Sequence, residues 1–265
     1  MKMSRPAALA LAALGLVLMV AGPLIPGGER LIRKAPPDSG HVTDLAKADD
    51  GSILVGTEEG TLWRLADGRW ARVGVDLGEQ PVTALSANLA GDAAKGPIGT
   101  AGGLVNPPAG MPALTVRVTD EIRAGDRLVV SSDDGLYVQG AGVWQRALEG
   151  VYVYRLDLEH GGGDHWVHAG TIDQGVFTTR ASRLLEWTPN RDGLPQRVNV
   201  FSFVLTAGDR LIAGTDQGLF WQPAPFEPWR RLAVGLEQSR MLSLLLEPRP
   251  GAEAQRLWIG SDDGL

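Results

Sequence analysis

The sequence predicts an all-β chain: a β-propeller of four-stranded blades, five or six units visible and the last incomplete, behind an N-terminal membrane helix. Three observations predict it. A short motif recurs at intervals near the roughly 40–50 residues of a propeller blade. Each full interval holds four strand candidates. The one long apolar run is confined to the first 25 residues.

Composition sets the frame. The 265 residues hold 35 Gly and 17 Pro, too many for a helical bundle, and 44% hydrophobic residues, enough for a buried core. Cys is absent, which excludes disulfide frameworks, thiolate metal sites and thiol nucleophiles. A net charge of −6 argues against a nucleic-acid partner.

The N-terminus reads as a targeting segment. Lys2 and Arg5 precede an apolar run from Ala7 to Ile25, about the length of roughly 20 residues that spans a bilayer core. Pro23 would follow the small residues Ala21 and Gly22, a poor cleavage site. Residues 7–25 are therefore expected to anchor the chain in the inner membrane, the alternative being a cleaved signal peptide and secretion. Residues 1–34 form the anchor and linker, and 35–265 the repeat domain. The latter carries 20 basic and 30 acidic residues, a charge suited to a body held off an anionic membrane surface.

The motif is an apolar pair, Gly-Thr or a small equivalent, two polar residues, Gly, then an aliphatic residue and an aromatic one. It appears at Leu54–Trp63, Val129–Tyr137, Gly170–Phe177, Ile212–Phe220 and Trp258–Leu265. Its marker glycines are Gly60, Gly135, Gly175, Gly218 and Gly264. Polar-polar-Gly between apolar strands suits a tight turn whose Gly takes positive φ. A Trp follows each complete copy, at Trp70, Trp144, Trp187 and Trp229, and is expected to fill the gap between blades. A strand candidate precedes each copy. Between Gly60 and Gly135 lie nearly two periods, and Gly99-Thr100-Ala101-Gly102-Gly103-Leu104 reads as an eroded copy. Six units then begin near residues 41, 81, 114, 151, 196 and 239. The final copy stops at Leu265 before its aromatic, so the propeller domain is expected to be truncated. A longer frame should add an aromatic and then a Trp strand.

No catalytic constellation emerges, and no cofactor is expected. His160, Asp164 and His165 are the metal candidates, in His160-Gly-Gly-Gly-Asp164-His165-Trp-Val-His168. Against them, His165 and His168 are three apart and fall on opposite faces of a strand, so a loop-to-strand junction is the preferred reading. The turn acids Glu58, Asp133, Asp134, Asp173, Asp216 and Asp262 are the binding-face candidates. The competing reading is that Asp is favoured in exposed turns. Arg69, Arg72, Arg146, Arg230 and Arg231 recur near the fourth strand, where they read as solvated edge residues.

At the turn copies the chain resembles the two-component regulator propeller repeat, Leu257–Leu265 most closely and Leu211–Phe220 next. More distantly it resembles photosystem assembly-factor and sialidase-type propellers. The first resemblance implies a periplasmic or cell-surface sensor-type module that binds a small ligand or a protein partner without catalysis. A propeller enzyme acting on polysaccharide, as lyase or glycosidase, and an assembly factor for a membrane complex are the alternatives.

Overall fold

The computed structural model describes residues 40–48, 50–85, 96–159, 164–206, 209–233, 235, 237–247 and 256–262. The anchor at 7–25, His160 and Gly264 lie outside them. Among the described residues no helix is long and apolar enough to cross a membrane. The chain divides into two compact units, Met1–Ala109 with Ala113–Val118, and Gly110–Pro112 with Thr119–Leu265.

The first unit holds two antiparallel sheets. One is β1 (Val42–Lys47), β2 (Ile53–Thr57), β3 (Leu62–Ala66) and β4 (Arg69–Arg72), paired in that order. The other is β5 (Val82–Leu85), β6 (Ile98–Thr100) and β7 (Gly103–Val105). This three-stranded sheet is the eroded copy, and its turn glycine Gly103 has φ +139°. Leu54, Leu62, Val82 and Ile98 form the core between the two sheets.

The second unit continues the series. Its sheets are β8 (Val118–Ala124), β9 (Arg127–Ser132), β10 (Gly135–Gln139) and β11 (Trp144–Ala147); β12 (Val153–Leu158), β13 (Trp166–Thr171), β14 (Val176–Arg180) and β15 (Thr188–Pro189); β16 (Val200–Leu205), β17 (Leu211–Thr215), β18 (Gly218–Gln222) and β19 (Arg230–Leu232); and β20 (Met241–Glu247) with β21 (Arg256–Ser261). Six sheets therefore start at residues 42, 82, 118, 153, 200 and 241.

Each repeat residue has a physical reason. Gly60, Gly135, Gly175 and Gly218 all have positive φ, between +71° and +113°. Thr57, Thr100, Ser132, Thr171 and Thr215 are buried at the start of the turns. The hydroxyls of Thr100, Ser132, Thr171 and Thr215 each donate to the oxygen of their turn glycine, at 2.7–3.0 Å. The glycine just before each Thr serves a different end. A β-carbon on Gly56, Gly99 or Gly170 would lie 2.3, 2.7 or 2.8 Å from a Cγ1 of Val82, Val118 or Val200, which open the next first strand. Ser131 replaces this glycine in the third sheet. It fits because its hydroxyl bonds Thr119 Oγ1 at 2.9 Å, and Thr119 bonds the oxygen of Val153 at 2.6 Å.

First strands are also tied to one another. Each of β1, β5, β12, β16 and β20 carries a register shift after its opening residue. Past the bulge of β1, Asp44 accepts the N–H of Leu85 at 2.7 Å, and in β8 Asp120 accepts that of Leu156 at 2.8 Å.

The expectation for the fourth-strand tryptophans needs correction. Only Trp229 is fully buried; it lies in the core of β16–β19 and its Nε1 donates to Asn190 of the preceding sheet at 2.9 Å. Trp70, Trp144 and Trp187 stay partly exposed. Trp187 nonetheless packs against the core shared by the β8–β11 and β12–β15 sheets, and its Nε1 donates to the oxygen of Leu184 at 2.7 Å.

Candidate functional site

The turn acids are drawn into the frame by their own sheets. The N–H of Glu58, Ile172, Asp216 or Asp262 donates to the oxygen of the residue ahead of the first strand of its sheet, His41, Tyr152, Asn199 or Arg240, at 2.8–3.3 Å. The carboxylates of Asp216 and Asp262 reach back to the N–H of Asn199 and Arg240 at 3.0 and 2.9 Å. Asp216 also accepts from Asn199 Nδ2 at 2.7 Å. Glu58 meets His41 Nδ1 at 3.0 Å, and Asp134 pairs with Arg146 at 2.7 Å. The Asp173 N–H donates to Asn199 Oδ1 at 2.8 Å, whereas Asp133 points to solvent. Glu58, Asp216 and Asp262 thus fasten the turn to the strand entry of their own sheets.

The fourth-strand arginines stack across the sheet on third-strand aromatics. Arg146 lies opposite Tyr137 in register and 5.3 Å from its ring centroid. Arg231 lies opposite Phe220 at 4.6 Å, and Arg230 opposite Trp221 at 5.3 Å. Such contacts contribute about 0.5–1 kcal/mol at exposed sites.

Asp164 and His165 mark the entry to β13. Both Asp164 oxygens are taken by Ser182, at 2.9 Å from its N–H and 2.6 Å from its hydroxyl. Those two bonds hold the Asp164 carboxyl below the usual carboxylate range, the hydroxyl contributing most. The oxygen of His165 accepts the N–H of Ala181 at 2.8 Å. Among the described residues no group of three or more His, Asp or Glu is placed to hold a metal ion.

The same segment builds an open cleft of about 700 Å³. One wall is Trp166, with the Arg180 guanidinium 3.5 Å from its ring centroid. The facing element is the loop after β18, whose Phe226 meets Trp166 edge-on with centroids 5.5 Å apart. Arg183 and Glu186 stand on the rim, 3.6 Å apart and about 70% exposed. Thr178 and Thr179 form the floor. Phe226 has φ +68° and remains 44% exposed. A bulky residue held there costs on the order of 1–2 kcal/mol.

Beneath the floor runs a buried polar chain. Glu159 Oε1 lies 3.1 Å from His168 Nε2, and His168 Nδ1 lies 2.9 Å from Thr178 Oγ1. Asn190 Nδ2 donates to Thr178 Oγ1 at 3.0 Å and to Gln222 Oε1 at 2.9 Å. Gln222 Nε2 returns a bond to Asn190 Oδ1 at 2.8 Å and donates to the oxygen of Glu227. The carboxylate can only accept, so the proton of the Glu159–His168 link is carried by Nε2. His168, Thr178, Asn190 and Gln222 are all at most 3% exposed. The chain joins β13 and β14 to β18 and to the loop carrying Phe226, so the two sides of the cleft rest on one rigid floor. His168 stands on β13, and no sequence motif announces its partners. Trp166, Arg180 and Phe226 are separated by up to 60 residues and share no motif.

No family model and no curated protein matches the chain. Solved structures do. The extracellular domain of BT4673 from B. thetaiotaomicron, a proposed one-component system, aligns with a TM-score of 0.53 at 15% identity, over 85% of this chain and 38% of that one. The computationally designed Ika8 protein gives 0.55 at 14% identity, covering 84% and 81%. The β-propeller domain of Cps50 (Swd1) from Myceliophteria thermophila gives 0.52 at 13% identity, covering 77% and 76%. At these identities the likeness shows the fold alone, and that fold is the β-propeller. The chain spans less than two fifths of the BT4673 domain it matches.

Proposed function

We propose that the chain is a sensor-type β-propeller module, anchored through residues 7–25 and placed outside the cytoplasm, that binds a ligand or protein partner without transforming it. The observation that carries the binding role is the cleft of Trp166, Arg180 and Phe226, where a strained aromatic is kept exposed on a rigid hydrogen-bonded floor. A bulky aromatic held at positive φ on the wall of a cleft is a pointer to function. Location is supported by Lys2 and Arg5 ahead of the apolar run. The extracellular BT4673 domain among the structural neighbours agrees with it. The turn acids support the frame rather than the ligand.

A reporter fused after Leu265 tests the placement. An export-dependent reporter should be active, a cytoplasm-dependent one silent, and protease added to spheroplasts should digest the domain. Full protection from that protease would overturn the placement.

A further inference from the structure

We infer that the cleft between β13–β14 and the Phe226 loop takes a small carboxylate that carries a flat apolar face, an inference resting on the ligand-binding reading above. Three observations lead there. First, Phe226 offers an exposed ring at φ +68°, and Trp166 backs it edge-on at 5.5 Å. A ring fixed in this way is a platform for the flat face of a ligand. Second, two guanidinium groups reach the same space. Arg180 Cζ lies over Trp166, 3.5 Å from the ring centroid, and one N–H donates to the backbone oxygen of Asp164 at 2.6 Å. A guanidinium carries five N–H donors, so others remain for a carboxylate. Third, the carboxylates nearby are unequal. Each oxygen of Asp164 accepts one bond from Ser182, while its charge also acts on Arg180 and Arg183. Glu186 holds Arg183 at 3.6 Å with both side chains solvated, a weak pair that a better-placed carboxylate displaces.

Two sources share this chemistry: an aromatic acid and a sugar acid. The test uses the full 265-residue chain in detergent micelles, titrated by calorimetry and by ligand-observed NMR. The probes are phenylacetate and galacturonate, with phenylacetamide and galactose as neutral counterparts. One acid should bind, and its neutral counterpart should bind at least about tenfold more weakly, the difference a charge-assisted pair makes. Preference for phenylacetate marks the aromatic source, and preference for galacturonate the sugar source. Arg183→Ala should weaken binding about tenfold, and Glu186→Gln should strengthen it, because it removes the internal competitor. Phe226→Gly should weaken binding while leaving the melting temperature unchanged or higher, since Gly accepts the positive φ. Binding of neither acid, or equal binding of acid and neutral counterpart, would overturn the inference. An acid that binds regardless of Arg183→Ala and Phe226→Gly would overturn the cleft assignment but leave a ligand-binding module. Breakdown of the acid in the NMR tube would overturn the non-catalytic reading alone, with the variants still deciding the site.

Discussion

A β-carbon built on Gly214 would stand 2.8 Å from the backbone oxygen of Met241, the residue that opens the next first strand. Ser202 Oγ would lie at 2.4 Å. The Ser202 hydroxyl can rotate away, but the Met241 oxygen is backbone, so β20 would have to move. Gly214→Ala should destabilise the protein by about 1–3 kcal/mol through overpacking. Urea denaturation checks it: an unchanged midpoint would mean that β20 moves away without cost.

The turn glycines make a graded series. Gly218 has φ +93°, and its replacement by Ala should cost about 1–2 kcal/mol from conformation alone. Gly135 has φ +113°, and a β-carbon there would also lie 2.7 Å from the oxygen of Leu148. Gly135→Ala should therefore be the worse of the two. Gly68 has φ +71° with open space around it, so Gly68→Asn should be nearly silent, because Asn tolerates this region. Melting temperatures should fall in the order Gly68→Asn, Gly218→Ala, Gly135→Ala.

Thr215 carries the other half of the turn. Its hydroxyl donates to the oxygen of Gly218 at 2.7 Å and accepts the N–H of Gln217 at 3.0 Å, fully buried. Thr215→Val keeps the shape and orphans both groups, at about 1–3 kcal/mol for a buried unsatisfied group. Thr215→Ser retains the bonds and should recover most of that loss in the same denaturation experiment.

The repeat was legible because it is written in residues whose backbone behaviour is local. Positive φ selects Gly at 60, 135, 175 and 218, and a buried opener recurs as Val82, Val118, Val153, Val200 and Met241. Even the eroded sheet of β5–β7 kept its Thr100 and Gly103. Long-range contacts were not legible. The glycines at 56, 99, 170 and 214 look like part of the turn, yet their reason lies in the following sheet. The acids at 216 and 262 look like exposed turn residues, and their partners are strand-entry amides found only by pairing β17 with β16 and β21 with β20. The cleft was invisible because Arg180 and Phe226 belong to neighbouring sheets and neither sits at a repeat position. The one signal for it in the sequence is Phe226 amid Pro223, Pro225 and Pro228, an aromatic in a stiff loop.

Asn190 and Gln222 exchange two hydrogen bonds, at 2.9 and 2.8 Å, across neighbouring sheets. Asn190→Leu strands buried donors and acceptors on Gln222 and Thr178, and Gln222→Leu does the same to Asn190. Each single variant should lose about 1–3 kcal/mol or more. The double variant, apolar on both sides, should lose less than the sum of the two, giving a coupling of about 0.5–3 kcal/mol in a double-mutant cycle. Additive losses would show that the pair does not act as a unit.

Ser182 and Asp164 give the protein a pH-dependent fastening at the cleft. The hydroxyl and N–H of Ser182 bond the ionised carboxylate and depress its pKa in the folded state. A depressed carboxyl contributes stability that is fully present above the pKa of the unfolded chain, about 3.9, and is lost as pH falls through the folded value. Ser182→Ala removes the larger of the two bonds and lets the folded pKa rise toward the ordinary range. The stability gap between parent and variant should therefore be full at neutral pH and shrink as the solution is acidified below the folded pKa. Asp50 is held low in the same way by Ser52, and it titrates alike in both proteins, so it cancels from the difference. The measurement is the difference in urea midpoint between parent and Ser182→Ala across the acid range, with Asp164→Asn as the background in which the pH dependence of the gap should vanish. A gap that stays constant with pH while Asp164 is intact would show that the Ser182 hydroxyl acts by packing and not on the carboxylate.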